Sequence, residues 1–102
     1  MLKYVRTYPD GVRLVATLNE SSIRIYAEAK SPCYNSTRLS STIALDVGAY
    51  NENEFDRRHA AAINSVPNLL ASVRAQIAEE RRQIDMITSL VKTLKLTPFV
   101  QK

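Results

Sequence analysis

The sequence predicts an α+β fold: a four-stranded antiparallel β-meander followed by a short helix and a long C-terminal amphipathic helix. Up to Val47, apolar residues recur at every second position, with turn-forming residues between the runs. That is the pattern of half-buried strands joined by short connections. From Asn51 onward the spacing changes to alternating threes and fours, the pattern of a helix with one continuous apolar seam. At 102 residues the chain is expected to be one domain with one modest core, residues 1–50 forming the meander and residues 51–102 the helical half.

Leu2 to Tyr8 is rich in aromatic and β-branched residues and reads as the first strand. Tyr8-Pro9-Asp10-Gly11 is a turn in which proline presets φ and Asp-Gly supplies the permissive residues. Val12 to Leu18 then places Val12, Leu14, Ala16 and Leu18 on one face and Arg13, Val15 and Thr17 on the other. Ile23 to Glu28 alternates again, with Ile23, Ile25 and Ala27 opposed to Arg24, Tyr26 and Glu28. Lys30 to Thr37 is a loop, since Pro32 excludes a central strand. Leu39 to Val47 is expected as an unbroken fourth strand, Leu39, Ile43, Leu45 and Val47 sharing a face and Arg38 facing away.

Asn51 is positioned to cap the first helix, with Glu54 three residues on and Glu52 favouring the positive helix end. Phe55, His59, Ala62, Ile63 and Val66 share its face. Pro67 deprives the carbonyl of Ile63 of its donor, so a kink or restart is expected there. The seam of the long helix then runs through Val66, Leu70, Val73, Ile77, Ile84, Ile87, Val91 and Leu94. Glu80 fills the one vacant seam place. Thr97-Pro98 is expected to end the helix, with Phe99 and Val100 tucking back.

Composition bounds the function. Fourteen Lys and Arg against ten Asp and Glu leave a net charge of +4, and no basic tail concentrates it. That permits contact with nucleic acid without singling it out. The single cysteine, Cys33, allows no intrachain disulfide. No stretch reads as a signal-peptide core or a membrane span, so a cytoplasmic location and no membrane partner are expected.

Chemistry-bearing constellations are scarce. His59 is the sole histidine, and no motif surrounds it or Cys33, so neither a nucleophilic triad nor a Cys-His pair is expected. Asp56 and His59 make at most two ligands of the three or more that zinc takes. Gly11 and Gly48 are the only glycines, which excludes a phosphate-binding loop and a dinucleotide fingerprint. The expectation is therefore no enzyme, no metal, no cofactor and no small-molecule substrate.

Two surfaces remain. Arg13, Arg24 and Tyr26 project from the polar sheet face, joined by Tyr4, Arg6 and Tyr8 if the first strand is set that way round. Arginines interleaved with aromatic rings suit phosphate tracking and base stacking, so this is the candidate nucleic-acid face. In its order of elements, four antiparallel strands then a helix, the chain resembles Whirly-type and related single-strand-binding coactivator proteins. That likeness implies a single-stranded nucleic-acid partner and rests on architecture, with no shared motif.

The second surface is the seam. A helix from Val66 to Leu94 spans roughly 43 Å, against roughly 23 Å for a seven-residue strand, so the sheet covers about half of it. The remainder is expected to meet a second copy, with Leu70, Val73, Ile77, Glu80, Ile84, Ile87, Val91 and Leu94 as the oligomer interface. Two-fold antiparallel coiled-coil pairing centred near Glu80 suits this seam. The function expected is that of a small non-enzymatic interaction protein of accessory, regulatory or assembly type, as found in bacteria and their viruses. It acts as a homodimer and binds another protein; the alternative is single-stranded nucleic-acid binding.

Overall fold

The structure is a computed structural model describing residues 2–97. The chain is α+β, an antiparallel sheet of five strands followed by one long helix. The strands are β1 (Leu2–Thr7), β2 (Arg13–Leu18), β3 (Ser22–Lys30), β4 (Thr37–Leu39) and β5 (Ile43–Asp46), and the helix is α1 (Glu52–Leu94). The order across the sheet is β1-β2-β3-β4, with β5 also paired to β3. The Pro9-Asp10-Gly11 hairpin closes with Gly11 N–H donating to the Tyr8 carbonyl at 3.0 Å and Tyr8 N–H to Val12 at 2.8 Å. Gly11 sits at φ +87°, a conformation that a side chain would strain.

The expected fourth strand is two strands, and a bulge explains why. Glu28 pairs with Leu39, but Ile25 pairs with Ile43, so one extra residue lies on the outer strand between them. Ser40 occupies the break. Its N–H donates to the Ala27 carbonyl at 3.0 Å, and its hydroxyl accepts from Ala27 N–H at 2.8 Å. One inserted residue reverses the facing of everything before it. Leu39 therefore lies opposite Glu28 on the polar face and is exposed, whereas Ile43 and Leu45 lie opposite Ile25 and Ile23. Arg38, expected to face away, lies opposite Ala29 on the helix side.

The expected short helix does not exist as a separate element: α1 runs unbroken through Pro67 for 43 residues. At 1.5 Å per residue that is about 65 Å, close to the molecule's longest dimension of 68 Å, which excludes a sharp turn at Pro67. Ile63, Asn64 and Pro67 are all exposed, so water can satisfy the carbonyl that proline leaves without a donor. The Ser65 hydroxyl donates to the Ala61 carbonyl at 2.8 Å, within the continuous helix. The Asn51 cap forms: its side chain accepts from Glu54 N–H at 2.8 Å. The helix ends at Lys95, which takes the left-handed conformation and donates to Lys92 at 3.2 Å. Pro98, Phe99 and Val100 lie outside the described residues.

The core is the meeting of Leu69, Leu70 and Val73 with Val12, Ala27 and Ala29, flanked by Tyr8, Leu14, Ile25, Ile43, Val66 and Ile77. Two alanines on β3 leave room for the helix to approach closely, and α1 accordingly lies over β3, β4 and β5. That off-centre seat leaves part of both the sheet and the helix uncovered.

Candidate functional site

The sequence-derived interface divides at Glu80. Leu70 and Val73 are buried against the chain's own sheet, and Ile77 is half-buried beside them. These residues are therefore not available to a partner, and the antiparallel pairing expected to set Leu70 and Val73 directly against a partner's seam is corrected. The second half is different. Ile84, Ile87, Val91 and Leu94 are exposed, Ile87 at 63 %, and Leu90 and Met86 lie exposed beside them. From Ile84 to Leu94 every seam residue is exposed, so this distal part of α1 is an overhang.

Glu80, the charge in the seam, has a purpose that periodicity alone did not reveal. Its side chain is 13 % exposed and pairs with Arg38 at 2.5 Å. Its other oxygen accepts from the Ser31 hydroxyl at 2.7 Å. That same hydroxyl accepts from the N–H groups of Cys33 at 3.1 Å and Tyr34 at 3.0 Å. The Arg38 guanidinium also stacks over the Tyr34 ring, 5.4 Å from its centroid, and Gln76 donates to the Leu39 carbonyl at 3.1 Å. Together these contacts latch the β3–β4 loop to the helix and hold the helix toward the β4 side. The bulge makes the latch possible, because without it Arg38 would point away.

The Ser31 hydroxyl chiefly, and then Arg38, hold the Glu80 carboxyl below the ordinary glutamate range against the opposing effect of burial. A carboxylate favoured by the fold stabilises it fully above the ordinary range and ceases to as pH falls through its lowered pKa. Glu80→Gln is thus expected to melt below the wild type at neutral pH, with the two curves converging in acid; thermal melts followed by circular dichroism at stepped pH measure this. On the solvent side, the Arg82 guanidinium first and the Gln83 amide second lower the neighbouring Glu79 to about 2. Glu79 bonds Arg82 at 2.6 Å, and both are exposed.

Arg13, Arg24 and Tyr26 do share the sheet face turned away from the helix, since Arg13 pairs with Glu28 and Val15 with Tyr26. Arg13 forms an ion pair with the buried Glu28, which offsets its charge. Arg24 is exposed and Tyr26 half-buried. This face is less polar than its pattern suggests, because Val15 on it is fully buried, flanked in register by Val5 and Tyr26. Tyr4, Arg6 and Tyr8 do not join it. Tyr4 pairs with Ala16 and Arg6 with Leu14, so they lie on the helix side. That placement leaves Leu2, Tyr4 and Leu18 as an exposed apolar strip beside the helix, Tyr4 at 56 %.

Between the β1–β2 hairpin, the end of β3 and α1 opens a groove of about 560 Å³ lined by Asp10, Val12, Lys30, Arg74, Ala78 and Arg81, among others. Arg74 bonds Asp10 at 2.8 Å and lies over the Tyr8 ring, 5.3 Å from its centroid.

His59 and Cys33 are not brought together. His59 is exposed, its ring 6.2 Å from that of Phe55. Cys33 packs against the Glu80 carbonyl at 3.7 Å, twenty-one residues further along the helix and so about 31 Å away. Among the described residues no three His, Cys, Asp or Glu side chains are grouped to hold a metal, and no helix is long and apolar enough to cross a membrane. No family model, no curated protein and no solved structure matches the chain.

Proposed function

We propose that this chain is a small non-enzymatic interaction protein that works as a homo-oligomer and binds a further macromolecule, a protein in preference to a nucleic acid. The observation that carries this reading is the overhang: the distal part of α1 keeps the apolar seam of the core, yet Ile84, Ile87, Val91 and Leu94 are all exposed. Water-exposed apolar side chains at three-four spacing are maintained at a cost in solubility unless something covers them. The homo-oligomer takes precedence because the surface needing cover is itself a coiled-coil seam. Protein is favoured as the further partner because the Arg13–Glu28 pair leaves the polar sheet face with little net charge to track phosphates.

Sedimentation equilibrium at micromolar concentration is expected to give at least twice the 11.5 kDa mass of one chain. A single species at that mass would remove the homo-oligomer. Affinity capture from the native host, in nuclease-treated and untreated halves, addresses the further partner. Recovery of the same proteins from both halves fits protein binding. Loss of every partner on nuclease treatment would instead assign the function to the Arg24 and Tyr26 face.

A further inference from the structure

We infer that two copies pair by exchange, the overhang of each helix lying on the uncovered β1–β2 half of the partner's sheet. The inference rests on the homo-oligomer reading above and names what fills the interface.

Width is the first ground. Four strands about 4.8 Å apart, with their side chains, make a face nearly two helices wide, since a helix measures about 10 Å across. Seated over β3, β4 and β5, α1 leaves room for one more helix beside it. The floor of that vacancy is the exposed Leu2, Tyr4 and Leu18 with the half-buried Ala16 beside them, all placed on the helix side by strand register. The described residues contain no second helix to fill it.

Length agrees. The overhang from Ile84 to Leu94 spans about 16 Å and a six-residue strand about 20 Å, so the overhang fits within the length of the vacancy.

Phase decides the arrangement. Ile84, Ile87, Val91 and Leu94 continue the spacing that brings Leu70, Val73 and Ile77 onto the sheet. On a straight helix such a seam drifts about 20° per heptad, so Ile87 faces about 40° away from Val73 and the overhang still turns its apolar side broadly toward the sheet side. A second sheet continuing the plane of the first would meet it.

A two-fold axis normal to the sheet and passing near Ala78 satisfies all three conditions. The helices then run antiparallel side by side, with Ile87 alongside the partner's Leu69. Val91 lies over the partner's Tyr4 and Ala16. Ala78 brings a methyl group to the axis between Arg74 and Arg81, which line the same groove; Asp10 draws Arg74 aside.

The contact is isologous and closes at two copies, leaving no open end for a filament. It would cover Ile84, Ile87, Val91 and Leu94 together with Leu2, Tyr4 and Leu18, all exposed in the single chain; a specific interface needs roughly 1,200 Å² in all. Pairing through the overhangs alone would leave Leu2, Tyr4 and Leu18 in water.

The test places charges on both sides of the contact. Tyr4 and Val91 are exposed in the single chain, so Tyr4→Glu and Val91→Glu should fold, as helical circular dichroism will verify. Each is expected to raise the dissociation constant about a hundredfold, read by sedimentation. Tyr4→Glu combined with Val91→Lys in one chain is expected to restore the dimer, because each glutamate then meets the partner's lysine. If Tyr4→Glu unfolds the chain, an interchain disulfide in a Tyr4→Cys, Val91→Cys chain carrying Cys33→Ser gives the same answer. A dimer indifferent to Tyr4→Glu, a double variant that stays dissociated, or no interchain disulfide overturns the exchange and leaves self-association standing. A monomeric wild type overturns both.

Discussion

Val73→Asp is expected to unfold the chain. Val73 has no exposed surface and sits where α1 meets Val12, Ala27 and Ala29. An aspartate there either keeps its charge in an apolar contact or takes up a proton, and both destabilise the fold. Burying an unpaired charge costs about 3–5 kcal/mol, a large part of the roughly 5–15 kcal/mol that holds a domain folded. Leu69→Ala gives the scale for the same contact without a charge, a loss of about 2–5 kcal/mol as a cavity opens. Urea unfolding followed by helical circular dichroism measures both. A near-native midpoint for Val73→Asp would mean that the helix does not seat on the sheet through this face.

Ile84→Asp is expected to separate folding from association. Seam periodicity alone predicts that it destabilises the fold far more than Arg82→Asp. The structure alters that expectation. Ile84 is 37 % exposed in the single chain, so within one chain the substitution costs less than at the fully buried Val73. In the proposed dimer its cost falls on the contact between copies, where the aspartate would be buried without a partner. Dissociation should rise by two to three orders of magnitude, equivalent to about 3–4 kcal/mol. Arg82→Asp removes the exposed pair with Glu79 and should leave association unchanged. Melting at two protein concentrations distinguishes the effects: the wild type and Arg82→Asp should melt higher when concentrated, and Ile84→Asp should not. A concentration-independent loss of stability in Ile84→Asp would place Ile84 inside the single-chain core.

Periodicity alone makes the helix, three of the strands and the outward facing of Arg13, Arg24 and Tyr26 legible. It also showed that the seam outruns the sheet. The first error came at residues 40–42, where an alternation of two cannot register one inserted residue. Leu39 and Arg38 were consequently assigned to the wrong faces, and with them went the partner of Glu80. The second came at Pro67, where the sequence records the lost donor but not that Ile63 faces water. The facing of β1 is not set by the sequence, because its residues are polar and apolar on both sides. Tyr4, Arg6 and Tyr8 gave no local reason to prefer the helix side. One signal did exist for the latch. A lone glutamate in an apolar seam calls for a cation, and Arg38 was the arginine nearest the loop that Ser31 begins.

The bulge at residues 40–42 also bears on how this protein avoids sticking to the wrong neighbour. An open sheet has two edges, and a straight edge strand offers its free N–H and C=O groups to any other strand. One edge here is cut into pieces of three and four residues, too short and too offset to template a regular ladder. The other edge, β1, carries Lys3 and Arg6, whose like charges would oppose stacking against a second β1. Edge-to-edge growth into fibrils is thus discouraged on both sides, and the chain is left to associate through its faces.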